Sequence, residues 1–142
     1  MVKSLVPDVL VAAYLQTRFH VFADPLSFTL RIGERSNELA GLMAAQGASF
    51  AAYLTAENPA SIATSDAENA ARQATLKADL DAIGALAVPG EGDGMDPAWP
   101  PEASWLAVGL TREHACALGD RYGQNAIVCI DRDAVPELVV LR

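Results

Sequence analysis

The motif Ser65-Asp66-Ala67-Glu68 opens the longest helix that this sequence predicts. A serine at the N-cap accepts a hydrogen bond from the backbone amide three residues on, and a glutamate at that position reaches back to the serine amide. Leu76, Leu80 and Ile83 form the apolar stripe of this helix, and Gly84 ends it. Because most helical stability comes from packing such a stripe, the rest of the chain must supply an apolar surface for it.

Two polar residues continue this stripe toward the start of the helix. At about 100° per residue, Asn69 and Arg72 fall on the same face as Leu76. Their side chains are therefore expected to point toward the core, near the loop Thr55-Ala56-Glu57-Asn58-Pro59. This inward offset predicts a polar cluster where the loop meets the helix.

The flanking segments alternate between strand and helix patterns. Strands are predicted at 16–23, 28–32, 49–55, 104–110, 125–130 and 138–141, with further helices at 8–14, 37–46 and 112–122. The first two strands form a hairpin, and the order strand, helix, strand over 28–55 predicts a parallel pair with a right-handed crossover. Residues 88–103, with four prolines and three glycines, are predicted to be one long loop, anchored by Met95 and Trp99 and able to act as a lid.

These elements predict an α+β fold in one compact domain over residues 1–142. The sheet is expected to be mixed, with five or six strands, and three main helices pack on it.

Charge and cysteine content restrict the partners of this chain. Its 142 residues carry 10 basic and 18 acidic side chains, a net charge of −8 that repels nucleic acid. No signal peptide or membrane-spanning run is recognised, so no membrane partner is expected. Cys116 and Cys129 have no paired spacing, which favours free thiols in a reducing, cytoplasmic compartment. Scattered histidines and cysteines predict no metal, and no motif predicts a cofactor.

Several segments considered jointly resemble a bacterial family known only as a domain of unknown function, DUF3293. They are YLQT at 14–17, LRIG at 30–33, LTAENP at 54–59, EN at 68–69, WPPEASWL at 99–106 and GQNAIV at 123–128. The resemblance implies a small, soluble, stand-alone bacterial protein and transfers no catalytic residue. It concentrates the family signature on Thr55, Asn58, Pro59, Asn69, Glu102, Ser104, Gln124 and Asn125.

We expect a site for a small polar or anionic ligand, enzymatic or not. It would lie between the loop 55–59, the start of the long helix, the loop 88–103 and the strand that follows Gly123, because ligands settle at the carboxyl ends of strands. The candidate binding residues are Thr55, Asn58, Asn69, Arg72, Glu102, Ser104, Gln124 and Asn125. Arg72 beside a helix N-terminus suits an anion. No catalytic residue is assigned, because neither His20 nor His114 is placed in the sequence to activate Ser104.

Structural roles for the same residues stay open. Asn58 can close a turn before Pro59, Arg72 can pair internally with Glu68 or Glu102, and residues 124–125 can close the preceding helix. The alternative function is then a non-catalytic protein-interaction or regulatory module whose polar cluster only fixes loop geometry. A third hypothesis is contact with a larger assembly through the acidic surface.

Overall fold

A computed structural model of the protein describes residues 6–24, 27–94 and 96–142. Its elements, in chain order, are α1 (Asp8–Gln16), β1 (Arg18–Val21), β2 (Phe28–Leu30), α2 (Asn37–Ala45), β3 (Ala51–Leu54), a 3₁₀ turn (Pro59–Ser61), α3 (Asp66–Ala82), β4 (Leu86–Asp93), β5 (Glu102–Val108), α4 (Arg112–Arg121), β6 (Ala126–Ile130) and β7 (Pro136–Val140). The α+β class is confirmed. Pro25, which lies between the two strands of the predicted hairpin, and Met95, predicted as a loop anchor, lie outside the described residues.

Within the described residues, seven strands form one sheet in the order β2-β1-β4-β5-β3-β6-β7. Each neighbouring pair is antiparallel, so the predicted mixed sheet of five or six strands is wrong. The predicted parallel pair is also wrong, because β1, β4 and β5 separate β2 from β3. The reason lies in burial: β3 is buried at every position and takes an interior place between β5 and β6, whereas the three residues of β2 only extend the hairpin with β1 at the edge of the sheet.

β4 corrects the prediction that 88–103 is one long loop. Gly90 is paired on both sides, with Val21 of β1 and with Ser104 of β5, and the connecting loop shrinks to residues 94–101. Pro89 is tolerated because its carbonyl accepts from the Phe22 amide at 2.8 Å. In a strand the amide and carbonyl of one residue face the same neighbouring strand, so the N–H that Pro89 lacks would have faced Phe22, one residue past the end of β1. Its absence therefore removes no hydrogen bond from the ladder between β1 and β4.

The sheet carries helices on both faces. On one face α3 and α4 cover a core that includes Leu54, Leu76 and Leu80. Full burial of each leucine side chain contributes about 1.5–3 kcal/mol. On the other face Leu39 and Met43 of α2 close a second core. α1 lies against β7 on this second face without burying any of its residues, so the sheet beneath α1 is incompletely filled.

None of the helices in the described part of the chain is both long and apolar enough to cross a membrane.

Candidate functional site

A cavity of about 280 Å³ lies between α1, the loop 94–101 and the open part of the sheet. Small-molecule sites in proteins have volumes from about 300 Å³ upward. The cavity lies at the lower end of that range, so its volume suits a small ligand. α1 and the loop form the roof with Leu10, Ala13, Tyr14, Thr17, Asp96 and Trp99. The floor runs across the sheet through Phe19, Gly92, Glu102, Ser104, Tyr53, Thr55, Ala126, Val128 and Leu138.

Glycines in β4 make room beneath the roof. A Cβ atom at Gly92 would meet nothing closer than the Thr17 side chain at 3.9 Å, so the absent side chain leaves space between sheet and helix. At Gly90 a Cβ atom would lie 2.1 Å from the His20 carbonyl oxygen and 2.6 Å from the Tyr53 hydroxyl. Gly90 therefore lets Tyr53 cross β4 and donate to that carbonyl at 2.6 Å. Burial raises the pKa of Tyr53 well above its ordinary value, so the phenol stays protonated.

The loop after β3 holds Asn58 in one orientation. Its side-chain oxygen accepts from the Thr64 amide and from the Asn69 side-chain nitrogen, both at 3.0 Å. Because a backbone amide can only donate, the Asn58 side-chain nitrogen must face the other way, where it donates to Glu102 Oε2 at 2.6 Å. Asn58, Ala60 and Ser61 all adopt left-handed backbone conformations, so this segment is also strained.

Glu102 is a half-buried carboxyl group at this end of the cavity. Burial raises its pKa above the ordinary value, although hydrogen bonds from Asn58 and Trp99 act in the opposite direction. Burial also raises the pKa of Glu57, and the charge of Glu102 adds to that rise. The effect on Glu57 shows that the Glu102 carboxylate lies close enough to repel a second carboxyl group.

A hydroxyl and amide cluster fastens α1 over the cavity. The Tyr14 hydroxyl and the Ser61 hydroxyl lie 2.6 Å apart, and the Asn125 side-chain nitrogen donates to them at 3.1 and 3.3 Å. Three separate segments therefore meet at this cluster, which we call the α1 latch (Tyr14, Ser61 and Asn125). α1 also lies against β7.

The structure brings most of the predicted site residues to one place. Those that line the cavity are Thr55, Asn58, Glu102, Ser104, Gln124 and Asn125. Within this set Thr55 donates to the Ala103 carbonyl at 2.8 Å and Gln124 donates to the Glu57 carbonyl at 3.0 Å. The Ser104 hydroxyl donates to the Glu102 backbone carbonyl at 3.0 Å, so its hydrogen bond does not lead to a base.

Asn69 and Arg72 lie behind the cavity wall instead of in it. Asn69 is 7% exposed, which confirms its predicted inward position, and its side-chain oxygen accepts from the Asn58 amide at 3.0 Å. Arg72 donates from Nε to the Ala56 carbonyl at 2.7 Å and from a terminal nitrogen to the Tyr122 carbonyl at 2.5 Å. Arg72 therefore has internal partners, but they are backbone carbonyls at the ends of β3 and α4 and not the carboxylate of Glu68 or Glu102.

Four aromatic rings of the cavity were not predicted as site residues. Tyr14, Phe19 and Tyr53 have the apolar spacing of ordinary core positions, and Trp99 is recognisable from the sequence only as an anchor of its loop. No local signal separates them from core residues, because the order of the strands decides which rings share a face. A metal site has no support either: no group of three or more possible ligands gathers among the residues the structure describes.

Comparison with known families adds one finding. A family model described as "Protein of unknown function (DUF3293)" matches residues 54–127, more than half of the chain. The chain belongs to the DUF3293 family. The DUF3293 match begins at the last residue of β3 and reaches into β6, so it contains all the predicted site residues and leaves α1, β1 and β7 outside. Neither the search of curated proteins nor the search of solved structures gives a match.

Proposed function

We propose that this DUF3293 protein binds a small organic molecule in the cavity beneath α1. One observation carries the proposal: an apolar space of about 280 Å³, roofed by a helix without a buried residue, receives a few oriented polar groups. Ligand sites typically combine an apolar lining with a small number of fixed polar groups. The strained backbone at residues 58–61 supports the same interpretation, because strain of this kind clusters at functional sites.

We propose binding without assigning a reaction. Ser104 would need a neighbouring base to act as a nucleophile, and its hydroxyl instead donates to a backbone carbonyl. Glu102 has the raised pKa expected of a general acid or base, but a raised pKa alone does not define a reaction, and its carboxylate accepts a hydrogen bond from the Asn58 side chain.

The second candidate is a non-catalytic interaction module. It is favoured by Asn69 and Arg72, whose side chains are engaged by internal partners and fix the ends of β3 and α4. In this proposal the whole polar cluster is structural, and no small molecule stabilises the fold.

A thermal-shift screen of metabolites separates the two candidates. A ligand at a hundred times its Kd stabilises the folded state by about 2.7 kcal/mol, so binders should raise the melting temperature. Ala126→Leu places extra carbons in the cavity floor and should abolish that rise. Ala117→Leu, on the exposed side of α4, is the matched control and should preserve it.

The proposal fails if no compound raises the melting temperature. It also fails if the rise is the same in Ala126→Leu, since binding would then lie elsewhere. Nuclear magnetic resonance shift changes at the backbone amides of residues 92, 104 and 126 would locate the ligand independently of stability.

A further inference from the structure

We infer that the ligand carries a protonated amine, which lies against Glu102, on an apolar body that fills the rest of the cavity. This inference rests on the proposed function and adds the chemical class of the ligand. It replaces the anion that the position of Arg72 in the sequence suggests.

The charge of the lining excludes an anion. Among the described residues that line the cavity, Asp96 and Glu102 are acidic and none is lysine, arginine or histidine. Arg72, the cation expected there, donates to two carbonyls behind the wall. An anion placed in this space would be desolvated without a positive partner, at a cost of several kcal/mol.

Glu102 is fixed as an acceptor. Asn58 has no freedom to turn its side-chain oxygen toward Glu102, because that oxygen already accepts from Thr64 and Asn69. The carboxylate therefore receives hydrogen bonds from Asn58, and a carboxylate has about four acceptor positions. A donating ammonium group satisfies the positions left over and neutralises a charge that burial disfavours.

Other acidic groups add to the negative potential at this end. Glu57 lies close enough for Glu102 to affect its titration, and Asp66 and Glu91 act on Glu57 in the same direction. The cavity thus attracts cations by long-range charge as well as by direct contact.

Aromatic rings complete a site of this class. Tyr14, Phe19, Tyr53 and Trp99 surround the space, and the Phe19 and Tyr53 rings are 5.2 Å apart in an edge-on arrangement. The negative faces of such rings attract ammonium and quaternary ammonium groups, and their carbon surface receives an apolar body.

The test compares three probes that share one body and differ in the head group: phenethylamine, phenethyl alcohol and 3-phenylpropionate. Calorimetric titration of the full-length protein at neutral pH should show the amine binding about tenfold more tightly than the alcohol, with the acid weakest. Glu102→Gln should bring the amine within about twofold of the alcohol, while the affinity for the alcohol stays the same.

Glu113→Gln is the charge-matched control, because Glu113 is exposed on α4 and its loss changes the net charge equally. This variant should keep the preference for the amine. If it loses the preference as Glu102→Gln does, the attraction comes from net charge and the inference is overturned.

The remaining outcomes separate this inference from the proposed function. Equal binding of amine and alcohol, or an amine preference that survives Glu102→Gln, overturns the amine assignment and leaves a ligand cavity standing. Failure of all three probes at millimolar concentration also overturns the assignment, and the metabolite screen with Ala126→Leu then decides the proposed function separately.

Discussion

At the scale of single residues, the charge of Glu102 lowers the stability of the folded protein. A half-buried carboxyl group whose pKa is raised is one that the fold would stabilise better if it were neutral. Hydrogen bonds from Asn58 and Trp99 reduce this cost, and the charge of Glu102 in turn raises the pKa of Glu57. A residue that lowers stability in the empty protein is explained most simply by what it contacts when the cavity is filled.

Glu102→Gln should stabilise the empty protein in a pH-dependent way. The folded protein holds the Glu102 proton more tightly than the unfolded chain does, so stability falls as pH rises from the ordinary pKa of 4.5 through the raised value. Thermal melts of both proteins should therefore coincide near pH 4 and separate toward pH 8, with the variant more stable. The substitution also removes the charge that adds to the raised pKa of Glu57, so relief at Glu57 increases the difference in the same direction. A constant difference at all pH values would contradict the assignment of the cost to the charge of Glu102.

Position 90 requires glycine for a steric reason. Gly90→Ala should destabilise the fold by more than about 2 kcal/mol, because its Cβ would collide with a backbone oxygen that the sheet cannot move. Gly92→Ala, two residues along on the same face, meets nothing closer than 3.9 Å and is the matched control. Urea denaturation of the two variants measures the difference. Equal stabilities would show that Tyr53 does not cross β4 as described.

At the scale of elements, residues 55–65 are held by side chains more than by their own backbone. Asn69→Ala leaves the Asn58 amide without its partner inside the protein, which should cost about 2 kcal/mol. Thr75→Ala, exposed on the same helix, should change stability by less than about 0.5 kcal/mol. Both values come from urea denaturation, and a small effect at Asn69 would mean that the loop does not depend on α3.

α1 should open independently of the rest of the fold. Tyr14→Phe removes the hydroxyl of the α1 latch and should cost about 1 kcal/mol locally. Hydrogen exchange should quicken at the amides of α1, while those of β3 and β6 exchange as before. Leu15→Ala, on the exposed side of α1, is the control and should leave the exchange of the latch region unchanged. Uniform quickening across the sheet would show that α1 is part of the global folding unit.

The elements also show how far local sequence patterns reach. α2, α3 and α4 lie within a residue or so of their predicted bounds, because caps such as Ser36 and Ser65 and the helical period act over a few residues. The sequence does not predict β4, because Pro89, Gly90 and Gly92 are typical of turns. Glycines are needed in this strand because Tyr53 and α1 lie over it, and those contacts cannot be seen in the local sequence. Strand neighbours were predicted wrongly at β2 and β3, since pairing depends on contacts far apart in the chain.

At the scale of the whole molecule, the difference between local patterns and contacts far apart in the chain explains which site residues the sequence predicts. Asn69 was expected to point inward, and it does, because its offset from Leu76 is a property of one helix. Asn58, Glu102 and Asn125 line a common cavity because the antiparallel sheet places the end of β3 beside the starts of β5 and β6. The aromatic rings and the roof formed by α1 were not foreseen, because they depend on the strand order across the entire sheet.

The position of β3 has a consequence for synthesis on the ribosome. This interior strand pairs with β5 and β6, both of which leave the exit tunnel later than β3 itself, whereas β1 and β2 can already form their hairpin. A nascent chain that ends after β4 therefore exposes both edges of its most apolar strand, the situation in which a chain is most prone to associate with others or to recruit a chaperone. The acidic surface helps here as well, because like charges keep neighbouring unfinished chains apart until the last strands emerge.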